Sequence, residues 1–283
     1  MSDASARGGR PRHGRELALF FGLTFLLSWI LWGVLYLADQ NDLGGMIGPL
    51  GAFAPPVAAM IALLVTGQGL RRSFWAPILH WRIGWWWAVV GAVPIAILVI
   101  GWAVMAVLDQ PLFPVEMPSM ATLPLLVLYM TLLGGGQEEP GWRGYALPRL
   151  QAHVGALGAS LVIGVVWAAW HLPLFAFGST GQSGLNLWIY FPYVMGISVL
   201  LTWVYNSTAG SVLAVMVLHA LVNLIGGYIP MGLVPEAELA TLVGVWVVAG
   251  TVIATYGPAT LARGSVETAE ARAMPSPTDG APA

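Results

Sequence analysis

Long apolar runs separated by short polar segments repeat along nearly the whole chain. The runs begin near Leu17, Met46, Gly84, Ala121, Ala156, Leu187, Ser211 and Leu239. A helix of about 20 mostly apolar residues is long enough to cross the hydrocarbon core of a bilayer. Pro94 lies inside one run, where a kink is expected rather than a helix end. The pattern therefore predicts an all-α, polytopic membrane protein with about eight transmembrane helices.

Composition supports this prediction and excludes a soluble enzyme. Of the 283 residues, 58% are hydrophobic and 8% are charged, whereas soluble domains carry roughly 25% charged residues. We therefore expect the lipid bilayer as a partner and no nucleic acid. The chain has no cysteine, which excludes disulfides, thiolate metal sites and a cysteine nucleophile.

The arginines give an orientation. With the N-terminus inside, the inner segments hold Arg7, Arg10, Arg12, Arg15, Arg71, Arg72, Arg82, Arg143, Arg149, Arg263 and Arg272, which are all the basic residues. The outer segments hold Asp39, Asp42, Asp109, Glu116, Glu236 and Glu238. Because arginine is enriched in cytoplasmic segments, we expect a multi-pass protein of the cell membrane, of bacterial origin, with both termini cytoplasmic.

The chain divides into a membrane domain and two tails. Residues 1–14 form a basic, low-complexity tail and residues 263–283 a second one, and both are predicted to be disordered. The membrane domain covers residues 15–262. Its first apolar run, residues 17–37, is long enough to span and lacks a small-residue cleavage site, so it is interpreted as a retained helix.

Ionisable residues inside an apolar run are candidates for function, because burying them in lipid is costly. Glu139 and Arg143 are four residues apart, so one helical turn brings their side chains together. That pair alone could be purely structural. Glu138 points about 100° away and has no partner in its own helix. Two such carboxylates can divide their roles, with one held ionised and one exchanging protons.

Three polar residues on the following helices complete the candidate cluster. Gly155 lies midway between Glu138 and His171 in the sequence, at a polar break, so a turn there places both side chains at one depth in an antiparallel helix pair. His219 and Asn223 are four residues apart and share one helix face. Taken alone, they could serve interhelical hydrogen bonding.

The cluster suits the attack of water on a peptide carbonyl. Glu138 and His171 can deprotonate water, and His219 and Asn223 can donate hydrogen bonds to an oxyanion. A second hypothesis is a zinc ion bound by Glu138, His171 and His219. The residue pattern leaves both hypotheses open, although no His-Glu-x-x-His motif is present.

These motifs resemble the CPBP family of intramembrane peptidases (CAAX protease and bacteriocin-processing, also called Abi). The family pattern is Glu-Glu-x-x-x-Arg, then aromatic-x-x-x-His, then His-x-x-x-Asn. Here these are Glu138-Glu139…Arg143, Trp167…His171 and His219…Asn223, within residues 120–228. Tryptophan at 167 stands where phenylalanine is more usual.

The resemblance implies an eight-helix fold with a cavity open to the cytosol. It also implies the water-activating and oxyanion roles given above, with Glu139 and Arg143 as a supporting pair and with zinc left open. The expected substrate is a peptide or protein, with lipidation as one option. The expected roles are CAAX-type prenyl-peptide processing or bacteriocin maturation and immunity.

Other functions compete with this interpretation. Gly181-Gln182-Ser183-Gly184 matches the Gly-x-Ser-Gly of rhomboid serine peptidases, but such patterns arise easily in Gly/Ser-rich loops. The buried ionisable residues could also form a proton relay in a transporter, or belong to a non-catalytic membrane scaffold. The sequence shows no internal symmetry of the kind typical of transporters.

Overall fold

The described part of the chain is built from helices alone. The computed structural model describes residues 13–38, 49–110, 119, 121–177, 180–226 and 234–263, and these contain no strand. Their main helices are α1 (His13–Ala38), α2 (Ala54–Val65), α3 (Trp86–Val107), α4 (Leu123–Leu133), α5 (Leu147–Trp170), α6 (Leu187–Ser207), α7 (Val212–Gly226) and α8 (Pro235–Tyr256). Short helical turns occupy Arg71–Trp75, Ala76–Ile78, Gly136–Glu138, Glu139–Gly141, Trp142–Ala146 and Leu172–Ala176. The predicted all-α class is confirmed.

The helices are those of a multi-pass membrane protein. Within the described residues, five helical segments are long and apolar enough to cross a membrane. One of them, Leu123–Ala176, merges two predicted runs, and two further apolar helices, Pro49–Val65 and Val212–Gly226, are shorter. Each of the eight predicted runs therefore contains a helix, but not every run is a full-length span.

The predicted reversal at Gly155 is present. Gly155 has φ 69° and ψ 178°, a conformation that is essentially restricted to glycine. The break removes the helical acceptors of the next two N–H groups, so Ala156 donates to Ala259 O at 2.9 Å and Leu157 to Pro258 O at 3.0 Å. Two halves of α5 thus run on either side of this turn.

Polar contacts join the connecting segments at one end of the bundle. Arg149 donates to Glu16 at 2.8 Å and to Gln68 at 3.0 Å. Asn206 exchanges hydrogen bonds with Gln151 and donates to Thr260 O. We call this the arginine end, defined by Glu16, Gln68, Arg149, Gln151, Asn206 and Thr260.

The helix ends and connecting segments at the arginine end carry most of the described arginines: Arg15, Arg71, Arg72, Arg82, Arg149 and Arg263. Arg143 does not belong with them, although the sequence grouped it there. It has no solvent exposure and lies deep among the helices. The predicted tails fall on residues 1–12 and 264–283, outside the described residues, apart from residues 13, 14 and 263.

The helices pack in pairs around an aromatic core. α1 packs on α2, α5 on α6, α3 on α8, and α7 against both α3 and α4. Trp170 donates its indole N–H to Ser28 of α1 at 2.9 Å, and Ser28 donates to Gly51 O. This chain of hydrogen bonds ties α1 to the end of α5, next to His171. Large apolar side chains such as Leu37 and Val107 face outward, as lipid contact requires.

Candidate active site

Glu139 is the centre of a fully buried charge cluster. Its two carboxylate oxygens accept hydrogen bonds from Arg143 Nη1 at 3.1 and 3.0 Å, as the four-residue spacing predicts. Its Oε1 atom also lies 2.7 Å from Nδ1 of His219. Neither Glu139 nor Arg143 is exposed to solvent. The carboxylate therefore bridges the arginine of its own helix and the histidine of α7.

Arg143 has further partners on two other helices. Its Nη2 atom donates to Ser198 Oγ at 2.9 Å, and Ser198 in turn donates to Ser160 O at 2.7 Å. The guanidinium carbon lies 4.9 Å from the centroid of the Trp167 ring, within the range of a cation–π contact. Arg143 thus fixes Glu139 relative to α5 and α6.

Glu138 faces a different partner. Its Oε2 atom accepts a hydrogen bond from the indole N–H of Trp167 at 2.7 Å, and the side chain is 4% exposed. The partner is therefore one helical turn before His171, the residue that the midpoint argument placed opposite Glu138. The indole N–H bonds to Oε2, so Oε1 of Glu138 receives no hydrogen bond from Trp167.

His171 is oriented by the same tryptophan. Its Nδ1 atom lies 2.9 Å from the backbone oxygen of Trp167, an acceptor that requires the N–H on Nδ1. The Nε2 atom of a neutral ring is then a proton acceptor. Both His171 and Glu138 line one cavity. The structure thus brings the two predicted water-activating groups to the same space.

His219 and Asn223 converge beside the glycines that follow α4. Asn223 Nδ2 donates to Gly134 O at 2.9 Å. A Cβ atom added to Gly135 would lie 2.5 Å from Asn223 Nδ2 and 2.8 Å from His219 Nε2. Gly135 has φ 122°, and its N–H donates to Gln137 Oε1 at 2.8 Å. The amide nitrogen of Asn223 and Nε2 of His219 therefore face the same small space.

The cavity has a volume of about 510 Å³, within the usual range for ligand sites. Glu138, His171, His219 and Asn223 all line it, whereas Glu139 and Arg143 support it from behind. Its aromatic walls are Trp32, Trp167, Trp170, Tyr190 and Tyr193.

Sequence reasoning missed several of these residues. Trp32, Tyr190 and Tyr193 lie in apolar runs and carry no local motif, so only the packing of α1 and α6 reveals them. Trp167 was identified only as the aromatic member of a motif. A signal was available, since an indole N–H buried among apolar residues needs an acceptor.

The cavity lies toward the end of the bundle opposite the arginine end. Its outlying lining residues are Pro49, Leu174, Gln182, Leu185 and Gly226. They fall beside the other set of connecting segments. The resemblance implied a cavity open to the cytosol, and the arginine pattern implied a cytoplasmic arginine end. Because the cavity lies at the opposite end from the arginines, these two expectations cannot both hold.

The serine hypothesis gains no support from the geometry. Gly181 and Gln182 line the cavity, whereas Ser183 does not. The N–H of Ser183 donates to Thr180 O at 3.1 Å, which is a turn contact.

The zinc hypothesis also lacks a set of converging ligands. Among the described residues, no three or more His, Asp or Glu side chains are arranged to hold a metal ion. His219 Nδ1 is directed to Glu139, and His171 Nδ1 to a backbone oxygen. Zinc binding stays a prediction of the sequence.

Comparison with known proteins gives two matches. A family model described as "Type II CAAX prenyl endopeptidase Rce1-like" matches residues 120–225. A relative named "CAAX prenyl protease 2", from Methanococcus maripaludis, is 24% identical over 226 residues, which cover 73% of this chain and 82% of the relative. The family match contains all six predicted site residues.

Proposed function

We propose that this chain is an intramembrane endopeptidase of the CPBP family, of the CAAX type that both matches support, and that Glu138 and His171 activate the water for peptide hydrolysis. The observation that carries the proposal is the common cavity. It is lined both by the two proton acceptors and by the paired donors His219 and Asn223.

The first step is deprotonation of water. Oε2 of Glu138 is held by the Trp167 indole, so Oε1 is the oxygen that accepts the proton from water. His171 presents Nε2 to the same cavity, where it accepts a hydrogen bond from that water. The resulting hydroxide equivalent attacks the carbonyl carbon and forms a tetrahedral intermediate.

The second step is stabilisation and collapse of this intermediate. Nδ2 of Asn223 and Nε2 of His219, which face one space beside Gly135, are assigned the hydrogen bonds to the oxyanion. Glu139 holds the His219 ring in this orientation from the Nδ1 side. The proton held by Glu138 then passes to the leaving amine nitrogen, the C–N bond breaks, and Glu138 returns to its carboxylate form.

The substrate is proposed to be a peptide or protein segment, with a prenylated C-terminal peptide as the first candidate because both matches carry CAAX names. Five aromatic side chains line the cavity and suit a chain that carries an apolar group. Bacteriocin maturation or immunity would use the same hydrolysis. We further propose the cell membrane as the location, with both termini cytoplasmic.

The test is cleavage of a fluorogenic peptide library, including farnesylated C-terminal peptides, by purified protein in lipid. Wild type and Asp109→Asn, a change at an exposed position, are expected to cleave, and Glu138→Gln is not. A Glu138→Gln variant as active as wild type would remove the proposed base. Failure of folded wild type on every peptide would favour a scaffold or a proton-coupled transporter.

A further inference from the structure

The residues of α7 that line the cavity lie in the part of this helix that is far from the arginine end. Ser211, just before this helix, donates to His80 O in the segment that carries Arg71, Arg72 and Arg82. At 1.5 Å per residue, His219 lies about 12 Å along the helix from Ser211, and Gly226 about 22 Å. The lining of the cavity includes His219, Asn223 and Gly226, but no residue of α7 before His219.

Along α5 and α6, the cavity is likewise displaced away from the arginine end. The first half of the Leu123–Ala176 segment ends at Gly155, which is at the arginine end, and His171 lies about 24 Å beyond it. The cavity continues past His171 to Leu174 and Gln182. From α6 it takes residues between Tyr190 and Ile197 only, while the opposite terminus of α6 carries Asn206 of the arginine end. The cavity therefore occupies the half of the bundle away from the arginines.

The charges of the two ends differ. The described residues of the far connecting segments include Asp109, Glu236 and Glu238, and no arginine. The sequence between positions 39 and 48 and between 111 and 118 also contains no arginine. Because Lys and Arg accumulate in cytoplasmic loops, this distribution makes the arginine end cytoplasmic and the far end extracytoplasmic.

We infer that the active-site cavity opens to the extracytoplasmic face, and that the enzyme cleaves peptide segments presented from that side of the membrane. The cleavage in this inference rests on the proposed function, whereas the side of the membrane on which the cavity opens does not. The substrate is accordingly a segment of an exported or membrane-anchored polypeptide that reaches the enzyme from that side.

The absence of cysteine makes the sidedness directly measurable. Gly69 lies in the segment between α2 and α3 at the arginine end, and Gly181 lies at the cavity. A Cβ atom at either position meets nothing within 4 Å, so Gly69→Cys and Gly181→Cys form a matched pair. Trp188→Cys, at a position 90% exposed near Gly181, provides a second reporter for the far face.

The experiment is labelling with a membrane-impermeant maleimide in spheroplasts of bacteria expressing the full chain, before and after permeabilisation. We expect Gly181→Cys and Trp188→Cys to be labelled in intact spheroplasts, and Gly69→Cys only after permeabilisation. The reverse pattern, or equal labelling of both faces, would overturn the inference.

A second measurement uses the reaction itself. An impermeant quenched peptide that the purified enzyme cleaves should be cleaved by intact spheroplasts and not by sealed inverted vesicles. Cleavage by the vesicles alone would overturn the inference. If purified wild type cleaves no peptide, the proposed function fails while the labelling result still decides the sidedness.

Discussion

Nδ1 of His219 lies 2.7 Å from Oε1 of Glu139, and both side chains are buried. This contact separates the two adjacent glutamates by role. Glu139 is committed to Arg143 and His219, whereas Glu138 faces the cavity. A carboxylate that already accepts hydrogen bonds from Arg143 and lies against His219 is less available to take a proton from water, which supports the proposal that Glu138 is the base.

Replacement of Glu139 by alanine should destabilise the protein strongly. Arg143 would remain buried without its counter-charge, a change that typically costs about 3–5 kcal/mol. The measurement is the apparent melting temperature in detergent. The double variant Glu139→Ala/Arg143→Ala should lose less than the sum of the two single losses. Strictly additive losses would show that the pair is not coupled.

Trp167→Phe should lower kcat about 10- to 100-fold with little change in KM. The change keeps an aromatic ring but removes the N–H that donates to Glu138, and hydrogen bonds to charged groups contribute about 1.5–3 kcal/mol. The control is Trp203→Phe, because the indole nitrogen of Trp203 has no hydrogen-bond partner among the described residues. Equal kinetics for wild type and Trp167→Phe would mean that the contact does not orient the base.

Asn223→Ala should lower kcat by about 100- to 1,000-fold, the usual effect of removing one oxyanion donor. The side chain also donates to Gly134 O, so the fold must be checked separately. Asn223→Asp keeps the shape but places an acceptor where the oxyanion forms, and it should be at least as inactive. Substantial activity in the aspartate variant, with an unchanged melting temperature, would remove Asn223 from the oxyanion site.

Peptide cleavage should persist in the presence of a strong zinc chelator. The expectation follows from the placement of the ligands, since no three acidic or histidine side chains converge among the described residues. The measurement compares the cleavage rate before and after dialysis against the chelator. Loss of activity that added zinc restores would establish the alternative predicted from Glu138, His171 and His219.

The sequence predicted local relationships well and long-range ones less well. Glu139 and Arg143 are close because a helix has 3.6 residues per turn, and Gly155 turns the chain because only glycine adopts its conformation readily. By contrast, the contact between Glu138 and Trp167 depends on how two helices rotate and slide against each other. The midpoint rule placed His171 opposite Glu138, and it did not predict the hydrogen bond that Glu138 accepts from Trp167, one turn earlier.

The contribution of α1 could not be predicted for the same reason. Trp32 forms a wall of the cavity, and Ser28 fixes Trp170, yet neither residue belongs to a motif. Their roles arise from the packing of α1 against the end of α5. The direction of the cavity is a similar case, because it depends on which helix ends the lining residues occupy.

Gly135→Ala should abolish most of the activity while leaving a folded protein. Gly135 has φ 122°, a region that alanine adopts only at a cost of about 1–3 kcal/mol. The added methyl group would also lie within 3 Å of His219 Nε2 and Asn223 Nδ2, in the space where we place the oxyanion. Gly250→Ala is the control, because its Cβ would meet nothing within 4 Å. A fully active Gly135→Ala variant would show that His219 and Asn223 act elsewhere. A variant that binds substrate normally but turns it over slowly would support the assigned oxyanion site.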